Sequence, residues 1–225
     1  MTTAINKKTK NNKVISYAAI TILALLSLIA LKNTFAHIFS YQGYSQINHW
    51  NEGNTPAEEN FTAAKSAINT AIALNSANPD YTEAKAMLCH WQDIVESKDN
   101  KACETTEAKL NLFREAIKQR PNWAYTWVNL TSAKAQAQQI DEEFKIAFNQ
   151  AKELGQNLPD VRLQLLDAGL QAWKSLSKDQ IKDLMEITEK GLILQTKQTS
   201  AVINKNQMMA MICAKLPGGV NSKYC

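Results

Sequence analysis

The chain is short of the residues that bend or lock a backbone: 7 Gly and 5 Pro in 225 residues. That scarcity argues against a β-rich chain with many tight turns. It also excludes collagen-like, Gly/Ser-linker and Pro-rich disordered classes. Four Cys are too few for a small disulfide-built scaffold. Charge of one sign is missing too. Lys+Arg is 25 against 21 Asp+Glu, and four of the lysines (Lys7, Lys8, Lys10, Lys13) lie in an acid-free start. Beyond residue 13 the two signs balance and intermingle, which is a poor footprint for nucleic acid.

Catalytic signatures are absent as well. There is no Walker loop, no dinucleotide glycine fingerprint, no G-x-S-x-G and no H-E-x-x-H. His37, His49 and His90 do not pair at metal-ligand spacing. Cys89 and His90 are adjacent, and neighbouring side chains on a helix diverge by about 100°. The expectation is a non-enzyme with no catalytic residue, no cofactor and no metal. Hydrophobic residues make up 45% of the chain, enough to bury a core.

One long apolar run is present. Val14 to Leu31 is 18 residues without a charge, between Lys13 and Lys32. As a helix it spans roughly 27 Å, against about 30 Å of bilayer core. Asn33 to Ala36 extend it into the interface. It is apolar on every side, unlike a core helix of a soluble domain. A cleaved signal peptide is the alternative, with Thr34-Phe35-Ala36 as the nearest cleavage site. Its length favours an uncleaved single-pass anchor. Four lysines precede it, and after Lys32 no Lys or Arg occurs before Lys65, so the N-terminus should face the cytoplasm.

The remainder reads as helices. Apolar residues recur at helical spacing over 57–74, 81–95, 104–119, 123–138 and 141–154. A further helix, with Asp160 as its cap, should carry Val161, Leu165, Ala168, Ala172 and Leu176. Two more are expected near 178–196 and 199–214. Laid together, Ala64-x3-Ile68-x2-Ala71-x2-Leu74 matches Phe144-x3-Phe148-x2-Ala151-x2-Leu154, and Lys109-x3-Phe113-x2-Ala116 matches in part. This spacing resembles the second helix of a tetratricopeptide repeat. The intervals between repeats are unequal, so the expectation is a degenerate array, with an ordinary helical bundle as the alternative.

The cysteines, outside the cytoplasm, should form local disulfides, Cys89–Cys103 and Cys213–Cys225; four free thiols are the other reading. A loop of that size is worth about 3 kcal/mol in the chain-entropy description. Trp123 and Trp127 stand four apart, on one face of an expected helix, where core packing competes with a stacking platform for a sugar or peptide. Tyr125 points to another side and is the better candidate for an exposed contact.

Within 114–173 the chain carries Ala116, Arg120-Pro121-x-Trp123-x-Tyr125-x-Trp127-x2-Leu130 and Lys134. It continues with Asp141-x-Glu143-Phe144, Ala147, Ala151-x2-Leu154-Gly155 and Gly169-Leu170-x2-Trp173. This stretch resembles the VpsP-type polysaccharide-biosynthesis proteins, and a similar stretch follows the membrane region of some O-antigen ligase-like polymerases. Ala124 stands where that pattern has Pro, and Gln156-Asn157 where it has Pro-Trp. The resemblance implies a bacterial inner-membrane accessory protein of exopolysaccharide synthesis or export. Its partners would be the polymerase or export machinery, with the polysaccharide itself as the alternative ligand. A scaffold for other envelope assembly machinery is a third reading. The organisation expected is a cytoplasmic basic tail over 1–13, a transmembrane helix over 14–35 and a periplasmic helical-repeat domain over 36–225. An alkaline phosphatase fused after Cys225 should therefore be active and a β-galactosidase fusion inactive; the opposite pair of activities overturns this topology.

Overall fold

A computed structural model of the chain describes residues 2–95, 103, 105–218 and 224, with side chains from Ile15 onward except those of 93 and 94. All the regular secondary structure among the described residues is helical. In chain order the α-helices are α1 (Thr2–Asn51), α2 (Glu58–Leu74), α3 (Pro79–Val95), α4 (Thr106–Gln119), α5 (Ala124–Gln136) and α6 (Glu142–Gly155). They continue with α7 (Pro159–Gln171), α8 (Lys178–Leu194), α9 (Thr196–Lys205) and α10 (Met209–Lys215), and a single 3-10 turn covers Trp173–Ser175.

The first helix departs from the expected boundary. It does not stop near residue 35 but runs unbroken to Asn51. Its apolar stretch is fully exposed, with none of the hydrophobic window buried, and it is long enough to cross a membrane or to serve as a signal. From Ala36 onward one face is buried: Ala36, Ser40, Gly43, Ile47 and Trp50. The alternating steps of four and three keep these residues on one stripe of the helix. Small side chains at Ala36, Ser40 and Gly43 let α2 come close. A Cβ placed on Gly43 would lie 2.5 Å from Ile68 Cγ1 and Cδ1 and 3.3 Å from the Ala64 carbonyl oxygen. Glycine weakens a helix interior, so its use here reflects the close approach.

Local chemistry explains most ends. Thr105 accepts from the Ala108 amide, and Asp141 from that of Phe144. Ser177 and Gln180 form a reciprocal capping box that starts α8. Asp160 is not a cap: Pro159 takes the first helical position of α7 after Leu158, and Asp160 falls in the first turn. A carboxylate there still suits the positive end of the helix. The helix expected through Leu176 ends instead at Gln171, and the one expected over 199–214 is split into α9 and α10. At that split Gln207 adopts φ 56°, its amide donates to Asn204, and the Met208 amide donates to Ile203. The same device, with Gln138 at φ 55°, ends α5 at Gln136, just short of the expected boundary at Gln138. Left-handed C-terminal residues are usually Gly, so two glutamines in that role hid both stops.

Each odd-numbered helix pairs with the even helix that follows, and neighbouring odd helices also touch: α1 with α3, α5 with α7, α7 with α9. Ile47, Trp50, Phe61, Ile68 and Leu88 join α1, α2 and α3 in one apolar cluster. Leu110, Phe113, Leu130 and Ala147 join α4 to α5 and α6. A larger cluster carries the core from α5 to α10. Gly43→Val should cost about 2 kcal/mol by overpacking, read as a melting temperature lower by about 4–8 °C. Gly43→Ala should lose less, because it recovers about 1 kcal/mol of helix propensity.

Candidate functional site

The odd-numbered helices wall a groove of about 680 Å³. Asn48 and Asn51 come from the end of α1; Met87, His90 and Trp91 from α3; Tyr125, Asn129, Ser132 and Gln136 from α5. Further along, Gln164 and Asp167 come from α7 and Lys205 from α9, while α4 reaches in with Lys109 and Phe113. The lining mixes five carboxamides with the aromatic rings of Trp91, Phe113 and Tyr125, and carries Lys109, Asp160, Asp167 and Lys205 as well. Carboxamides both donate and accept hydrogen bonds, and aromatic faces add apolar area. Such a surface can hold an extended polar chain by hydrogen bonds and apolar contact together. Among the described residues no group of three or more His, Cys, Asp or Glu could hold a metal ion.

Two carboxylates, Glu83 buried and Glu143 half-buried, hold the walls in place. Glu83 of α3, 3% exposed, accepts from the Thr126 hydroxyl at 3.0 Å, from Asn129 Nδ2 at 2.7 Å and from Arg120 Nη2 at 3.0 Å. It thus fixes the groove residue Asn129. Burial pushes the Glu83 carboxyl above its usual range, although the bonds from Asn129 and Thr126 pull the other way. Beside it, the Tyr44 hydroxyl donates to the Asp80 carbonyl at 2.7 Å, and burial drives that phenol well above its ordinary value.

The second carboxylate is Glu143 of α6. Arg114 of α4 donates to it twice, Nε at 2.6 Å and Nη2 at 2.7 Å, a planar two-point fit. Lys134 of α5, only 1% exposed, donates to Glu143 at 2.7 Å and to Asp141 at 2.9 Å. Arg114 also bonds Glu107 and Asn111. Burial opposes the charge on Lys134, but the bonds to Glu143 and Asp141 outweigh it and raise the ammonium above its ordinary value. The Arg114 bonds lead in holding the Glu143 carboxyl down at about 2.

Of the expected aromatic site residues, Trp123 and Tyr125 stand together, ring centroids 5.7 Å apart, whereas Trp127 packs against the apolar clusters. Trp123 caps α5 from outside the helix and is 43% exposed, so it does not share a helical face with Trp127. Arg120 stacks over its ring, 4.5 Å from the centroid. Trp127 is half-buried, donates its indole N–H to the Pro121 carbonyl at 2.7 Å and packs on two apolar clusters. Tyr125 is half-buried and lines the groove. Cys89 and Cys103 are bonded, with Cα atoms 5.3 Å apart. Gln92 reinforces that staple, accepting from the Cys103 amide at 2.9 Å and donating to its carbonyl at 3.0 Å. Cys213 is also disulfide-bonded; Cys225, its expected partner, lies outside the described residues. A disulfide points to an oxidising compartment. The groove residues of α1, α3, α7 and α9 were missed from the sequence, because no spacing along the chain marks which polar positions face a concavity made by stacking.

No family model, curated protein or solved structure matches this chain.

A native Glu143 pKa near 2, against about 4.3 when unfolded, gives stability that is full above pH ~4.3 and lost as the pH falls toward 2. Glu143→Gln should flatten that acid limb in denaturant midpoints measured between pH 5 and pH 2. At pH 7 it should cost about 2 kcal/mol, less than for a fully buried pair, since Asp141 still faces Lys134 and the site is partly wet.

Proposed function

We propose that the chain is a membrane-anchored, non-catalytic accessory protein of exopolysaccharide biosynthesis or export, of the VpsP type. It holds its partner in the groove of a degenerate tetratricopeptide-like array. The observation that carries this reading is the double use of α1. Its exposed apolar half suits lipid, and its buried half, without a break, supplies the first wall of the groove. A partner bound in the groove is thereby tied to the membrane by a rigid rod. The repeat reading draws support from the odd helices lining one concavity and from the buried small residues Ala64, Ala71, Ala116 and Ala151 on the even helices. The Cys89–Cys103 bond and the basic start support a reading with the bulk in the periplasm and the N-terminus in the cytoplasm.

A second reading, direct binding of the glycan, is favoured by the carboxamide and aromatic lining. Deleting the gene should lower exopolysaccharide output under either reading, and normal output rejects both. Co-purification of the polymerase with the full chain in detergent selects the adaptor. Binding of purified polymer to the same preparation, lost in Tyr125→Ala with helix content unchanged, selects the glycan reading.

A further inference from the structure

Single exposed apolar residues are ordinary on a protein surface, but here they are gathered. Outside α1, the large apolar side chains exposed among the described residues are Trp123, Ile146, Leu154, Leu158, Ile193 and Leu194. All except Ile146 stand where an even helix hands over to the next odd one. Trp123 lies between α4 and α5, Leu154 and Leu158 flank the α6–α7 turn, and Ile193 and Leu194 end α8. The turns of the opposite edge expose no large apolar side chain among the described residues.

These turns are linked into one continuous edge. Asp80, at the start of α3, pairs with Arg120 at 2.7 Å, and Arg120 covers Trp123. Gly155 is packed so tightly on Ala124 that a Cβ would lie 2.6 Å from the alanine's own. Asn157 bonds Lys190, and Arg162 Nε donates to Gln195 at 3.1 Å. The near end of this edge is fixed in height, because Asn75, in the α2–α3 turn, donates to Asn33 of α1 at 3.3 Å. Asn33 stands two residues beyond Leu31, where the uncharged run of α1 ends.

We propose that this edge lies on the bilayer surface, with Trp123 at headgroup level and Leu154, Leu158, Ile193 and Leu194 dipping into the acyl boundary. The proposal rests on the reading of α1 as a membrane span. Tryptophan favours that interface, and an apolar rim joined through the α2–α3 turn to a spanning helix meets lipid without further movement. The exposed charges on this edge are mixed, Lys118 and Lys197 against Glu153 and Asp160. The attraction is therefore apolar, and the partner is the bilayer interface itself instead of an anionic headgroup.

The test uses the full chain in phosphatidylcholine vesicles, with or without lipid brominated near the headgroup. None of the 5 Trp lies in the apolar run, so α1 contributes no tryptophan signal of its own. Bromolipid should quench wild-type emission at least twofold more than that of Trp123→Phe. Leu158→Glu combined with Leu194→Glu, both at exposed positions, should bring quenching down to the Trp123→Phe level with helix content unchanged. Equal quenching in wild type and Trp123→Phe overturns the proposal, as does a double variant that quenches like wild type. Quenching that appears only when phosphatidylglycerol is added overturns it too. Release of the chain from vesicles by alkaline carbonate overturns the span itself, whereas a retained chain with an unquenched Trp123 overturns the edge alone.

Discussion

The contact between α1 and α2 at Gly43 sets the position of everything that follows. Removing one side chain lets Ile68 and the Ala64 carbonyl press against the α1 backbone. That closeness buries Ala36, Ser40, Ile47 and Trp50 on the same stripe. α1 has no break between its exposed and buried halves, so the hairpin inherits the direction of the apolar segment. α3 then stacks on the hairpin through Tyr81, Ala84 and Leu88, and the later helices build outward from it. The exposed apolar segment and a groove wall become one rigid body because a single helix forms both.

Past α3 the array relies on charge as well as apolar packing. Glu83 and Glu143 clamp the α4–α5 pair from different sides, one through Arg120, Thr126 and Asn129, the other through Arg114 and Lys134. Burying ions costs desolvation, and such clusters are a weak source of net stability. Their geometry is demanding, however. A two-point Arg–carboxylate fit and an ammonium shared by two acids tolerate little sliding. They tie α4 to α5 and α6 in one register. Asn129, at once bonded to Glu83 and part of the groove lining, shows that the clamp and the groove share residues.

Much of the helical order was legible in the sequence because a helix end is a local event. The Asp141 cap and the stop at Arg120-Pro121 each depend on a few neighbouring residues, and all lie where the sequence implies. The failures were of two kinds. Gln138 and Gln207 end helices in a conformation normally given to glycine, so no local symbol announced them. The seam of α1 mixes Ser and Gly with apolar residues, and its pattern becomes readable only once α2 is laid against it. The aromatic trio shows the same limit. Trp123, Tyr125 and Trp127 sit within one turn and a half of chain, yet one caps a helix at an exposed edge, one lines the groove and one packs in the core.

By itself the sequence determined an all-helical class with an apolar first helix, since periodicity and run length act over a few residues, and it offered the Cys89–Cys103 loop as one reading of the cysteines. Tertiary structure alone decided that the first helix continues into the array, that the odd helices share a groove, and that the outlying apolar residues fall on one edge. Those outcomes depend on which faces meet when helices stack, and on the angle at which they cross. That geometry comes from contacts between residues tens of positions apart, which no window along the chain contains.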